Sequence, residues 1–342
     1  MKTLRTNGPI LVGAALTLIA VTVTATAATA PLMPPIPVFR TAQIGTPPKL
    51  ELAVELPAAP SHLAVYALET APSGKEQISR LAAQLGLGGE TLDNGSGKLA
   101  LRDRPGEDSQ QTLTLFEASG GFFYRYDREL FRIPEEQPRL PDEDTAHKIA
   151  LDYLSQHGLL PRDAGIERDQ VAFSRSRLVE FATDSGKTTR ELVTHIEVRF
   201  PQVWDGQPVT GPGSKLYVAV GPEGKVLAVT RMWREGHASG AMLPAIAPAE
   251  ALAYMQRSKG RLATPVGCQN ASVEEMSLAY WAESPTVMQR TSLPVYRVQG
   301  QCYDAKGLRL GDFEGYAPAV LNESFRLDSG KDHPDPDQDR DL

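Results

Sequence analysis

The residues able to do chemistry are thinly spread along this chain, and no group of them has the spacing a reaction needs. Serine hydrolysis requires Ser, His and a carboxylate to converge, often on a G-x-S-x-G elbow. Gly236-His237-Ala238-Ser239-Gly240 holds these ingredients out of register, between Trp233 and Pro244, where a linker is expected. Gly186-Lys187-Thr188 imitates the end of a phosphate-binding loop. That loop needs glycine at position 181 and a helix opening at the lysine, but the residue is Phe181 and a strand pattern follows. Asp184-Ser185-Gly186-Lys187 therefore reads as a hairpin turn. The six histidines, His62, His147, His157, His195, His237 and His333, show no paired ligand spacing. Asp335, Asp337, Asp339 and Asp341 lack the glycine turn and closing glutamate of a calcium loop. Neither a metal nor a cofactor is expected. Glu135-Glu136 and Glu274-Glu275 are neighbours in sequence, so on a strand they point apart and read as solubilising charge.

What remains is contact chemistry. In residues 192–200, Leu192, Thr194, Ile196, Val198 and Phe200 alternate with Val193, His195, Glu197 and Arg199, the pattern of an antiparallel strand with one covered face. His195 on its polar face, with Trp204 and Trp233, marks the middle sheet as the most exposed surface for a partner. Phe122, Phe123, Tyr124 and Tyr126 place aromatics on both faces of one strand, so one set must be covered, by a neighbouring unit or by a partner. Phe123 and Tyr124 join the candidate binding residues for that reason. Cys268 and Cys302 read as a disulfide within the last third of the chain if the compartment is oxidising, with two unpaired thiols as the alternative.

The elements that must position these residues lie behind an export pattern. Lys2 and Arg5 precede an apolar run, and Ala25-Thr26-Ala27 supplies a cut site, so residues 1–27 read as a signal peptide or a retained signal anchor. Residues 28–48 form a Pro-rich tether and residues 328–342 an acidic tail expected to be disordered. A hydrophobic share of 41% suits a folded core, and a net charge of −7 with scattered Lys and Arg argues against nucleic acid. Between the ends, a helix followed by strands recurs. Helices are expected over residues 75–85, with Ser73 and Glu76 as a capping box, after Asp142, and from Pro248. Gly221-Pro222-Glu223-Gly224 reads as a hairpin between two strands. These patterns predict an α+β protein of two or three consecutive units, each a helix packed on an antiparallel sheet of about four strands. The units span residues 49–135, 140–234 and 247–325.

Asp205-Gly206-Gln207-Pro208-Val209, then Gly213-Ser214-Lys215-Leu216-Tyr217-Val218, then Pro222-Glu223-Gly224-Lys225-Val226 and Trp233 resemble the PepSY-type modules of bacterial secreted proteins and protease propeptides. Ala249 to Met255, Leu293-Pro294-Val295-Tyr296-Arg297 and Tyr316-Ala317-Pro318-Ala319 are similar in character. The same stretch resembles the outward domains of YycH- and YycI-type regulators. The resemblance covers residues 142–320 and implies binding, inhibition or chaperoning of a partner. The chain departs from the propeptides in having no H-E-x-x-H protease after the module, so its target is a separate molecule. The expectation is an exported, monomeric, non-catalytic protein that binds an envelope or secreted protein. The alternative is an extracytoplasmic hydrolase whose groups meet only in the fold.

Overall fold

The computed structural model describes residues 47–320 apart from 71, 73, 94, 104–110, 182–187 and 258–259. The signal segment, nearly all of the tether, Ser73 of the capping box, the turn at 184–187 and the acidic tail lie outside the described residues.

The chain opens with β1 (Lys49–Leu52), β2 (His62–Leu68), α1 (Gly74–Gln84), β3 (Glu90–Asp93), β4 (Lys98–Arg102), β5 (Gln111–Phe116), β6 (Phe122–Tyr126) and the one-turn α2 (Asp127–Leu130). It continues through α3 (Glu143–Gln156), β7 (Ala172–Phe181), β8 (Thr188–Phe200), β9 (Val203–Trp204), β10 (Gln207–Thr210), β11 (Lys215–Val220) and β12 (Val226–Met232). The last third holds β13 (Gly236–Pro244), α4 (Pro248–Gln256), β14 (Arg261–Ala263), β15 (Asn270–Trp281), β16 (Thr291–Ser292), β17 (Pro294–Tyr303) and β18 (Arg309–Pro318).

Local signals act as their chemistry dictates. Asp142 caps α3 by accepting the Thr145 N–H at 2.7 Å, and Ala146, Ala150 and Leu154 are its buried stripe. The β11–β12 turn passes through Glu223 and Gly224, both at positive φ. Asp304 Oδ1 closes the β17–β18 turn by accepting the Lys306 and Leu308 amides at 2.8 Å each. Gly236 to Gly240, read as linker, instead begins β13.

The fold class is a correction. Strand makes up 48% and helix 16% of the structure, so the protein is mostly β with large sheets, not a row of helix-on-four-strand α+β units. The order β3-β4-β5-β6-β12-β11-β8-β7 is one eight-stranded sheet, closed in its middle by antiparallel pairing of β6 with β12. Two meanders have merged because a free edge leaves backbone N–H and C=O groups unpaired, and joining two edges satisfies both rows. One face of that sheet carries α1 and α3 over a continuous core of Ile78, Leu81, Leu113, Phe122, Ile196, Val198 and Val218.

The second sheet runs β14-β18-β17-β15-β10-β9, with β1 also on β15, and packs α4 through Leu252 and Met255 against Val273, Tyr296 and Phe313. Its β9 and β10 come from between β8 and β11, and both β1 and β10 lie parallel to β15. A three-stranded sheet, β13-β2-β16, completes the fold. The Cys268–Cys302 disulfide forms within the last third. The expected membrane association finds no support in the described residues. Among the described residues no helix is long and apolar enough to cross a membrane, and the segment that carried that expectation lies outside them.

Candidate functional site

A dense side-chain network centres on Asp163, in the loop between α3 and β7. Its Oδ1 accepts the Trp233 indole N–H at 2.7 Å, and its Oδ2 accepts Trp204 Nε1 and Gln202 Nε2 at 2.8 Å each. Gln202 is buried, donates also to the Arg234 carbonyl at 2.8 Å and accepts from Ser214 Oγ at 3.2 Å. Trp204 then stacks on Tyr66 of β2, ring centroids 4.6 Å apart, and Tyr280 of β15 meets Tyr66 edge-on at 4.7 Å. Burial, then the adjacent Asp205 carboxylate, push the Tyr66 phenol upward, so it stays protonated. This one carboxylate and its aromatic neighbours thus tie all three sheets together.

Arg234 reinforces the junction. It donates to the carbonyls of Glu283 at 2.7 Å, Ser284 at 2.9 Å and Val287 at 2.7 Å. Burial lowers its pKa to about 10, against the Glu283 carboxylate, which raises it. Gly213 is needed beside it: a Cβ there would lie 2.1 Å from both Arg234 Nη1 and the Glu283 carbonyl oxygen.

The face of the large sheet opposite its helices carries the second cluster. Ser176 stands across the β7–β8 ladder from His195. His195 Nδ1 lies 3.1 Å from Thr194 Oγ1, and burial pulls the imidazole below its ordinary pKa, with the Glu197 carboxylate opposing. Glu197 Oε2 is already engaged, accepting Ser174 Oγ at 2.9 Å and Arg199 Nη2 at 2.5 Å. Lys215 is also lowered by burial and by Arg199, with Glu314 opposing. Glu314 itself pairs with Arg297 at 2.5 Å, both nearly buried.

The residues expected to form an exposed contact surface are therefore mostly interior. His195 is 8% exposed, Trp204 4% and Trp233 3%, because the two indoles turn inward to Asp163 and His195 is covered on its face. Tyr124 is buried under the helix layer, and Phe123 is half-buried, edge-on to Phe116 at 5.3 Å. Trp204 and Trp233 are brought together; His195 and Phe123 share the opposite face, away from them. Asp163, Tyr66 and Arg234 went unnoticed in the sequence. A signal for Asp163 existed, since a buried tryptophan N–H usually finds an acceptor. Among the described residues no group of three or more His, Cys, Asp or Glu is placed to hold a metal ion.

No protein-family model matches the chain, and no curated protein matches it. Among solved structures it is similar to an uncharacterized protein from Eubacterium rectale ATCC 33656, at 12% identity and a TM-score of 0.37, over 82% of this chain and 91% of that one. A likeness of that grade carries no argument about fold or function.

Proposed function

We propose that this is an exported protein that binds an envelope or secreted protein without transforming it. The observation that carries the reading is an unpaired stretch of sheet edge. Between the stretches of β15 held by β1 and by β10, residues 274–279 have no backbone partner on that side among the described residues. Such an edge is the usual seat for an extended segment of another protein, with main-chain bonds supplying affinity. The titratable groups support the same reading, since Asp163 and Glu197 are spent on internal hydrogen bonds. Export is supported by the leader pattern of residues 1–27 and is compatible with the disulfide. The resemblance to PepSY-type modules also implies binding.

A photo-crosslinker in place of exposed Glu275, used in the native envelope, is expected to capture one protein species that a crosslinker at exposed Lys148 on α3 does not capture. No species specific to Glu275 would refute the reading. A hydrolase is favoured by one observation, Ser176 facing His195 with Glu197 on the same strand. Turnover of an ester or amide substrate abolished by Ser176→Ala would establish it.

A further inference from the structure

We propose that β1 is an exchangeable strap, occupying in cis the edge of β15 to which an extended basic segment of the partner adds in parallel. The proposal rests on the binding reading above and names its mode.

Four residue pairs join β1 to β15, from Lys49 opposite Asn270 to Leu52 opposite Val273. Backbone bonds from the Lys49 N–H to the Gln269 carbonyl and from the Ala53 N–H to the Val273 carbonyl, each 2.9 Å, close its ends. Beyond a 3.3 Å bond from Gln256 Nε2 of α4 to the Leu50 carbonyl, little else holds it. Lys49, Glu51 and Leu52 are exposed, and Leu50 alone of the four packs on the core around α4. The Lys49–Glu51 pair is solvent-exposed and worth little. A strand with few buried contacts and exposed backbone bonds opens locally before the fold does.

Why β1 stops is equally informative. β15 runs on to Trp281, yet pairing ends at Ala53 and the chain bends at Val54. Continued in the same register, Ala53, Val54 and Glu55 would meet Glu274, Glu275 and Met276. Glu55 would then face buried Met276 on the core side of the sheet, where a carboxylate would lose its water without gaining a partner. The chain's own segment is therefore a poor fit for the rest of this edge. A strand with an apolar residue in the place of Leu50 and Lys or Arg in the place of Val54, opposite exposed Glu275, would pair past the bulge and along 274–279, up to where β10 takes over.

The test uses the full chain and two labelled synthetic peptides, residues 47–58 and the same peptide carrying Val54→Lys, followed by fluorescence anisotropy. Leu50→Asp, which loosens β1, is expected to bind the Val54→Lys peptide at least about tenfold more tightly than wild type does, because the edge is no longer occupied. The unaltered peptide should bind more weakly, and Glu274→Gln with Glu275→Gln should erase the difference between the two peptides. Leu50→Ala gives an intermediate effect should Leu50→Asp fold poorly. Equal affinity of wild type and both Leu50 variants, absence of binding by all of them, or no discrimination between the peptides would overturn the strap. Peptide exchange without any partner captured at Glu275 would sink the function and leave the strap; capture without exchange would do the reverse.

Discussion

Two strand junctions in this molecule rest on the same number of register pairs and differ in almost everything else. β6 meets β12 through four pairs, and β1 meets β15 through four. At the first, Phe122, Tyr124, Ala228, Val229 and Thr230 are all buried, with Phe122 and Val229 at 0% exposure. At the second, Leu52 is 52% exposed and only Leu50 reaches a core. Backbone hydrogen bonds are exchanged against water at both sites and contribute modestly at either. The lesson is that side-chain burial makes one junction part of the core and leaves the other removable.

The largest expected effect lies at the buried junction. Phe122→Ala should cost about 3–5 kcal/mol in denaturant unfolding, as a fully buried aromatic removed from beneath the helices. A loss below about 1 kcal/mol would mean the β6–β12 seam is not part of the cooperative core. Replacing Cys268 and Cys302 with Ser should cost roughly 2–5 kcal/mol, since the bridge closes a loop of 34 residues. The same loss should appear on adding a reductant to the native protein. Asp163→Asn comes next. It turns an acceptor of three N–H groups into a side chain that also donates, and should cost about 2 kcal/mol with a shift in tryptophan emission. Unchanged emission would mean that the carboxylate does not hold the two indoles.

The smallest effect is in pH. His195 has a folded pKa below its unfolded one because burial disfavours the charged ring. Its contribution is thus complete above the unfolded value of about 6.5 and is lost as pH falls through that value towards the folded one. His195→Gln should narrow the difference in Tm between about pH 7.5 and about pH 5.5. A difference of the same size in the variant would assign the acid sensitivity elsewhere.

Much of the local structure was legible in the sequence. The stripe Ala146, Ala150 and Leu154, the Asp142 cap and the alternation from Leu192 to Phe200 depend only on neighbours in the chain, so periodicity exposes them. The architecture was not legible, because nothing in Phe122 to Tyr126 states that its second edge belongs to β12 rather than to water. For the same reason β10 and β1 could not be assigned to β15, which lies about 70 residues along the chain from the first and about 220 from the second. Trp204 and Trp233 were read as surface aromatics since no local pattern ties them to Asp163, a single carboxylate without a motif. A buried indole N–H usually takes an acceptor, and only the fold says which one.

Hydrogen exchange of the native full chain, resolved to single strands, tests the contrast between the two junctions most directly. The amides of β1 should exchange through local opening, orders of magnitude faster than those of β6 and β12, which should wait for global unfolding. Equal protection of β1 and β6 would show that the strap is as firmly bound as the core seam, contradicting its role as a removable occupant of the β15 edge.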